Sequence, residues 1–263
     1  MKKLKYNLGK TNSFQLVVLG DMHIGDDLCD IDLIKTTINY IKETPNCYAI
    51  LNGDLMNNAL KTSKSDSYLE TMTMEQQQDY LIELLYPIKD KILVVATGNH
   101  EYRTNLLAGI NPLKAVAYAL GKPTIYTDGA FVLRLEFGSV CGTKTPNKYM
   151  VFGIHGTGGG RRMGSSANVL EDMSKIRPDM DLYIHSHTHT QLNFSDMVFL
   201  YDAMHDKDIE HQRTYYNANA FLKYGGYAEQ KGYVPTDRTP NAVVVTAVRK
   251  QGEMKIVTNI VKI

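Results

Sequence analysis

Cysteine is scarce in this 263-residue chain, and Cys29, Cys47 and Cys141 form no CxxC pair. An odd number of cysteines without paired spacing argues against a disulfide framework or a structural zinc site, and it is typical of reduced cytosolic thiols. Net charge is also low, at +1 with histidine neutral. That value neither predicts nor excludes a nucleic-acid partner, because bound cations can supply a positive field of their own.

Long hydrophobic runs are absent as well. No stretch approaches the roughly 20 apolar residues that a transmembrane helix needs. The basic residues 1–10 are followed by a strand-length apolar run and not by the h-region of a secretory signal. We therefore expect a soluble, cytoplasmic protein that does not associate with membranes. With 43% hydrophobic residues, no repeats and no linker-like stretch, residues 1–263 are expected to form one α/β domain.

The first half of the chain alternates between strand and helix patterns. The predicted strands are 14–19, 48–51 and 92–96, and the predicted helices are 31–43, 74–85 and 111–120. A strand, a helix and a strand in succession indicate a parallel sheet, in which the carboxyl ends of the strands lie side by side and bind ligands. Residues 56–73 are polar, and a solvated loop is favoured there over an ordered lid.

The second half has a more antiparallel character. One further helix is predicted at 166–176, with strands at 124–127, 130–137, 149–154, 182–184, 198–201, 242–248 and 254–263. The last two strands are joined by Gln251-Gly252 as a hairpin turn. Residues 202–240 are rich in tyrosine. A loop packed by its aromatic rings is favoured there, and tyrosines that stack on bases are the alternative.

Metal-ligand side chains follow several of these predicted strands. Asp21 and His23 leave the first strand in the sequence G-D-M-H-I-G, and Asp54 leaves the second in N-G-D. In a parallel sheet the two aspartates would be neighbours. Two buried carboxylates repel each other, and cations between them resolve that conflict. A helix cap with an incidental histidine is the structural alternative at Asp21.

The third strand end reads T-G-N-H-E-Y-R and presents Asn99, His100, Glu101 and Arg103. A turn that only reverses direction does not need these side chains, although a polar surface turn is the alternative. His155 follows another strand and precedes a glycine run that ends in Arg161 and Arg162. Freed backbone N–H groups and guanidinium groups suit phosphate oxygens. Simple flexibility is the competing interpretation.

The segment H-S-H-T-H contributes three alternating histidines. His187 and His189 would point to the same side of an extended chain, whereas His185 sits within the strand end and is expected to be structural. Together the strand ends offer seven oxygen and nitrogen ligands: Asp21, His23, Asp54, Asn99, His155, His187 and His189. Seven ligands are too many for one catalytic zinc. They suit two divalent ions about 3.5–4 Å apart that share a carboxylate and activate a bridging water as hydroxide to attack a phosphate ester.

The blocks G-D-M-H-I-G, N-G-D, G-N-H-E, G-I-H-G and H-S-H-T-H, in this order over residues 20–189, resemble the calcineurin-like metallophosphoesterase superfamily. The resemblance implies an α/β fold, a four-layer α/β/β/α sandwich with mixed sheets and a di-metal site at the carboxyl ends of strands. It implies that Asp54 bridges two ions, the first bound by Asp21, His23 and His189 and the second by Asn99, His155 and His187. It also implies that His100 is the catalytic acid or transition-state donor.

The substrate-binding candidates are Arg103, by the same resemblance, and Arg161 and Arg162 of the glycine loop. Two Mn²⁺ ions are the expected cofactor on the resemblance, with Fe or Zn²⁺ as alternatives for a mixed oxygen and nitrogen ligand set.

The chain also departs from the pattern of the phosphoprotein phosphatases, G-D-x-x-D-R-G. Here Asn57 replaces the second aspartate and Asn58 replaces the arginine. The first block resembles those of phosphodiesterases and repair nucleases, and the glycine loop with N-A-F-L at residues 219–222 and G-Y-A-E at 226–229 resembles phage and prophage phosphoesterases. We therefore favour a phosphodiesterase or nuclease acting on nucleic acid or a nucleotide. A phosphomonoesterase is the alternative, and a non-catalytic scaffold is a third. Ser186 stands where the family usually has glycine, which predicts a slight adjustment of the turn.

Overall fold

The computed structural model describes residues 1–60, 70–139, 145–158, 160, 162–250 and 253–263. Within these residues, six strands form each of two sheets. Sheet I contains β2 (Ser13–Leu19), β3 (Cys47–Asn52), β4 (Ile92–Ala96), β5 (Tyr126–Thr127), β11 (Asn241–Lys250) and β12 (Glu253–Lys262). Sheet II contains β1 (Lys2–Asn7), β6 (Phe131–Phe137), β7 (Asn147–Gly153), β8 (Leu182–His185), β9 (Leu192–Asp202) and β10 (Lys207–Asn217).

Both sheets are mixed. Sheet I has the order β12-β11-β2-β3-β4-β5, in which β2 to β5 run parallel, β11 is antiparallel to β2, and β12 is antiparallel to β11. Sheet II has the order β1-β6-β7-β8-β10-β9, in which β7, β8 and β10 are parallel. The parallel strands of each sheet therefore end at one edge, from which the predicted ligands project.

Six helices cover the sheets in the described part of the chain. They are α1 (Ile31–Glu43), α2 (Met74–Leu85), α3 (Asn99–Ala108), α4 (Pro112–Ala119), α5 (Met163–Ile176) and α6 (Gly226–Gln230). Asp30 caps α1 by accepting the Leu33 N–H, and Thr73 forms a capping box with Gln76 at α2. Such caps satisfy N–H groups that a helix leaves without partners in its first turn.

Three apolar clusters hold the layers together. Ile34, Leu81 and Leu113 belong to the cluster between sheet I and helices α1, α2 and α4. A second cluster joins the two sheets, and a third, which includes Leu170, packs α5 on sheet II. Burying each such leucine or isoleucine stabilises the fold by about 1.5–3 kcal/mol. The predicted α/β/β/α sandwich with mixed sheets is confirmed.

Several local predictions were wrong. Residues 99–108 form α3 where a turn was expected, because Glu101 at the third position caps the helix. Residues 124–127 contain a 3₁₀ turn and a two-residue strand in place of a full strand. The segment 202–240 contains β10, whose Tyr215 and Tyr216 are fully buried, so these two tyrosines pack in the fold and do not stack on bases.

The stretch after Asp54 is also more ordered than a solvated loop. Asn57 and Asn58 are buried, and Met56 forms an isolated bridge with Ile24. Residues 61–69 of the same predicted loop lie outside the described residues. No helix in the part of the chain that the structure describes is long and apolar enough to cross a membrane.

Candidate metal centre

The first cluster of ligand atoms lies at the end of β2. Oδ1 of Asp21 is 3.3 Å from Nε2 of His189 and 3.9 Å from Nε2 of His23. The two imidazole nitrogens are themselves 3.2 Å apart. Asp21 is fully buried, its Oδ2 accepts the His187 backbone N–H at 2.8 Å, and its Oδ1 has no hydrogen-bond partner among the described residues. This free oxygen and two facing imidazoles have the geometry of metal ligands.

The second cluster lies at the ends of β3, β4 and β7. Nε2 of His155 is 3.2 Å from Oδ2 of Asp54 and 3.1 Å from Oδ1 of Asn99. Nδ1 of His155 donates to the Asn52 carbonyl at 2.7 Å, which leaves Nε2 free as a ligand. His187 completes the cluster with Asp54 and His155. Its Nε2 contacts the Gly158 carbonyl at 2.9 Å, and its buried Nδ1 has no partner within the described residues.

Asp54 lies between the two clusters. It belongs to the group with His155 and His187, and also to a group with His23 and His100. Its Oδ1 accepts the His100 backbone N–H at 2.8 Å, and its Oδ2 is 3.8 Å from Nε2 of His100. The fold thus brings all seven predicted ligands into one centre with Asp54 in the middle.

The backbone at this centre is unusual. Positive φ angles, which are uncommon for residues other than glycine, occur at Asp21 (49°), His23 (49°), Asp54 (50°), His187 (68°) and His189 (54°). Gly98 lies so close to the Asp54 turn that a Cβ there would be 2.2 Å from the Asp54 amide nitrogen. Backbone strain of this kind costs on the order of 1–3 kcal/mol per residue and clusters at functional sites.

Glu101 holds two of the ligand turns together. It is fully buried, and its Oε2 accepts the N–H groups of Asp54 and Gly98, each at 3.1 Å, while its Oε1 accepts that of Met56 at 3.0 Å. Burial and the charge of Asp54 raise the pKa of Glu101 to about 7, whereas the backbone donors favour the carboxylate. Glu101 is not among the predicted site residues, although its place three residues after Gly98 signals a helix cap.

His100 is oriented by the backbone of Asn57. Its Nδ1 donates to the Asn57 carbonyl at 2.6 Å, which leaves Nε2 on the side of Asp54. The Asn58 side chain donates to the His100 carbonyl at 2.5 Å and to Oγ1 of Thr104 at 2.9 Å. A neutral carbonyl therefore replaces the aspartate expected from phosphoprotein phosphatases. Burial, with the nearby charge of Arg103, lowers the pKa of His100.

The three predicted substrate-binding arginines differ in position. Arg103 is half-buried on the first turns of α3, and its Nη1 is buried without a hydrogen-bond partner among the described residues. Arg162 is exposed immediately before α5. Arg161 lies outside the described residues. Of the two predicted arginines that the structure describes, Arg103 is the one whose charge lowers the pKa of His100.

A buried polar pair, His185 and Asn217, supports the turn that contains His187 and His189. Asn217 is not among the predicted site residues. Nδ1 of His185 donates to Oδ1 of Asn217 at 2.6 Å, which agrees with the predicted structural role of His185. Nδ2 of Asn217 donates to Oγ1 of Thr188 at 2.8 Å and also to the Thr190 carbonyl. No local pattern signals Asn217, because its partners are distant in sequence.

Ser186, in the position of the usual glycine, fits the fold with one added hydrogen bond. It is fully buried, and its Oγ accepts from Nδ2 of Asn52 at 2.8 Å.

The charges of the centre fit divalent cations. Burial disfavours ionised Asp21, but the positive charge of His189 outweighs it and lowers the pKa of Asp21 to about 2. Burial likewise disfavours a charged His155, yet Asp54 raises the pKa of that imidazole to about 10. The carboxylates therefore require positive charge at this centre, which protonated imidazoles or divalent cations can supply. Because unpartnered oxygen and nitrogen donors face the same space, the centre fits divalent ions such as Mn²⁺, Fe²⁺ or Zn²⁺.

Comparison with solved structures finds distant likenesses. A predicted phosphoesterase from Streptococcus pneumoniae is 12% identical, with a TM-score of 0.36 over 94% of this chain and 98% of that one. Vacuolar protein sorting 29 from Cryptosporidium parvum is 13% identical, with a TM-score of 0.41 over 96% and 100%. GAP50, the anchor in the inner membrane complex of Plasmodium, is 12% identical, with a TM-score of 0.45 over 96% and 85%.

Sequence comparison with curated proteins gives no match. Residues 14–191, in contrast, match the sequence profile described as calcineurin-like phosphoesterase. The matched stretch spans more than half of the chain and contains all seven predicted ligands together with His100. The chain therefore belongs to the calcineurin-like phosphoesterase family, and it is a metal-dependent phosphoester hydrolase.

Proposed function

We propose that this protein is a phosphodiesterase or nuclease that acts on nucleic acid or a nucleotide at the centre around Asp54. The observation that carries the proposal is the convergence of buried, unpartnered donors, among them Oδ1 of Asp21 and Nδ1 of His187, on either side of Asp54. Buried polar atoms normally have partners. Donors left free in one place indicate a ligand that satisfies them.

In this proposal Asp54 would be shared by two divalent ions, with Mn²⁺ the first candidate. Asp21, His23 and His189 would hold one ion, and Asn99, His155 and His187 would hold the other. When bound, two such ions would activate water as a nucleophile and offset the charge of the phosphate oxygens. The Asn52 carbonyl fixes the tautomer of His155 for this task.

His100 is the residue that handles the leaving group. Its Nδ1–H group donates to the Asn57 carbonyl, so proton exchange with a substrate would take place at Nε2. That nitrogen lies beside the centre, 3.8 Å from Oδ2 of Asp54. A leaving oxygen bound there would receive a proton, or a hydrogen bond, from Nε2 when the imidazole carries its second proton, and the ring would then be left neutral with its proton on Nδ1.

The distribution of positive side chains supports a diester substrate. A phosphodiester carries one negative charge, whereas a monoester carries up to two and needs more cationic partners. Asn57 and Asn58 replace the aspartate and arginine of phosphoprotein phosphatases. Arg103, with its free buried Nη1, is the proposed phosphate contact, and Arg161 and Arg162 are proposed to approach a longer substrate from the glycine loop.

A paired hydrolysis assay tests the proposal. The wild-type protein in Mn²⁺ is given a phosphate diester and a phosphate monoester of the same chromogenic alcohol, with His100→Ala as the control for contaminating activity. We expect faster turnover of the diester than of the monoester. In a second assay, we expect the protein to cleave single- or double-stranded DNA. Preference for the monoester, lost in His100→Ala, would contradict the proposal and identify a phosphatase.

A further inference from the structure

The four edge strands of the two sheets differ in how they are protected. An edge strand exposes unpaired backbone groups, and soluble proteins block such edges with lysine, proline, bulges or short strands. In sheet I, β5 is only two residues long, and the opposite edge β12 carries two lysines. In sheet II, β1 carries three lysines in six residues. Each of these three edges thus has a recognised form of protection.

The fourth edge, β9, has no such protection. It is 11 residues long and reads L-N-F-S-D-M-V-F-L-Y-D, without lysine, arginine, proline or glycine. Its register with β10 is unbroken from Leu192 opposite Asn217 to Asp202 opposite Lys207, so no bulge turns the edge away. Within the described residues, β10 is its one neighbour in the sheet. A long, regular and apolar edge of this kind favours pairing with another strand.

The side chains of β9 form an exposed apolar stripe. Met197, Phe199 and Tyr201 alternate along the strand and therefore share one face. They are 52%, 69% and 66% exposed, and Met204 in the adjoining turn is 90% exposed. Contiguous apolar surface of several hundred Å² on a soluble protein marks an interaction site.

This surface is separate from the metal centre. Asn217 at the carboxyl end of β10 contacts the ligand turn, whereas the turn between β9 and β10 lies at the opposite end of the hairpin, roughly 35 Å away along 11 residues. The hairpin also lies beyond residues 14–191, the part that matches the family. None of the predicted metal ligands or substrate-binding arginines lies on β9.

We propose that β9 pairs in antiparallel fashion with β9 of a second copy of this chain, so that sheet II continues across a two-fold axis. A two-fold axis at Val198 would place Met197 opposite Phe199 and Asp196 opposite Leu200, so no two acidic residues face each other. With the axis at Val198, nine residues of each β9 strand (194–202) pair with those of the other copy, and the exposed stripe beside them adds apolar contact. Self-pairing of β1 or of β12 is less favourable, because both of these edge strands carry lysines.

Measurement of molar mass by sedimentation over a range of protein concentrations tests the pairing. We expect a dimer for the wild-type chain, and a dissociation constant raised roughly tenfold or more in Phe199→Lys, because two lysines then meet near the axis. Val257→Lys, on the exposed side of edge strand β12, is the matched control and should leave the dimer intact. Hydrolysis of the chromogenic diester should be unchanged in both variants, which separates this test from that of the proposed function.

Single cysteines identify the partner and the axis. In a Cys141→Ser background, oxidation should link two copies through Met197→Cys, Val198→Cys or Phe199→Cys, whichever lies at the axis, and not through Asn193→Cys near the strand end. A disulfide requires Cα atoms within about 7 Å, which self-pairing provides only near the axis. A monomer at every concentration, a dimer unaffected by Phe199→Lys, or no cross-link at these three positions would overturn the proposal.

Discussion

The partner of His100 decides how that side chain can act. A carboxylate next to Nδ1 would favour the charged imidazole, whereas the Asn57 carbonyl orients the ring without adding negative charge. The Asn58 side chain also donates a hydrogen bond to the His100 carbonyl and so fixes the backbone of that residue. The chain therefore orients the His100 ring without the aspartate of the phosphoprotein phosphatases.

Removal of the His100 imidazole should affect turnover and not metal binding. In His100→Ala we expect both ions to stay bound and kcat for a poor leaving group to fall by roughly 10²–10⁴-fold, the usual contribution of general acid catalysis. The measurement is steady-state kinetics with metal analysis of the same sample. His205→Ala, an exposed histidine in the β9–β10 turn, serves as the control. A near-normal rate would remove His100 from the mechanism.

At the level of single residues, the sequence predicted the side chains that have a chemical signature and missed those that act through contacts. Asp21, His155 and the other predicted ligands could be named as candidates because each follows a strand within a recognisable block. Glu101 and Asn58 act by accepting from or donating to backbone groups of distant turns. Such contacts depend on tertiary structure, which spacing along the chain does not contain.

At the level of elements, strand β10 supports the metal centre through its last residue. Asn217 joins His185 in β8 to Thr188, between His187 and His189. Asn217 is itself fully buried. Loss of the amide would leave the ligand turn without its support.

Asn217→Leu should therefore weaken metal binding without removing a ligand. We expect the affinity for Mn²⁺ to fall by roughly 10–100-fold, the usual effect of losing an outer partner of metal ligands. Calorimetric titration of the metal-free, folded variant measures this change. Asn259→Leu, at an exposed position of β12, is the matched control. Unchanged affinity in Asn217→Leu would show that the ligand turn holds its shape without β10.

Asp181, the residue immediately before β8, has a raised pKa. Burial raises the pKa of Asp181 to about 6, although its Oδ2 accepts the Met150 N–H at 2.6 Å. Because the folded pKa lies above the unfolded value of 3.8, the stability that Asp181 contributes is present below pH 4 and is lost as pH rises through about 6.

Asp181→Asn should flatten this pH dependence. The amide keeps an acceptor for the Met150 N–H but cannot ionise. The free energy of unfolding of the variant, relative to that of the wild type, should therefore increase by roughly 2–3 kcal/mol between pH 4 and pH 7. Urea unfolding of the metal-free proteins at several pH values measures this difference. Asp179→Asn, nearby and more exposed, is the control. Parallel stability curves for wild type and Asp181→Asn would contradict the assignment.

Among the elements, the sequence predicted those whose pattern is strong. Helix α1 and the buried strands of sheet I follow clear periodicities and were found within one or two residues. Strand β10 was missed because its first half is polar and exposed. Apolar and polar residues therefore do not alternate there as they do in a half-buried strand. Helix α3 was missed because its apolar residues do not gather on one face.

At the level of the whole molecule, the candidate metal centre joins the two sheets. Sheet I supplies the predicted ligands Asp21, His23, Asp54 and Asn99, which follow its parallel strands, and sheet II supplies the three histidines that follow β7 and β8. The fold class could be predicted because strand–helix alternation gives a parallel sheet. The order of the strands in each sheet could not, because it depends on long-range pairing that no local pattern encodes.

The most direct test of the two-ion centre is the number of metal ions bound per chain. After loading with Mn²⁺ and removal of excess metal, we expect two ions in the wild type and in Asp79→Asn, an exposed aspartate of α2. In Asp54→Asn we expect tight binding to be lost at both positions, because the shared carboxylate is gone. Two tightly bound ions in Asp54→Asn, or fewer than two in the wild type, would contradict the bridging role of Asp54.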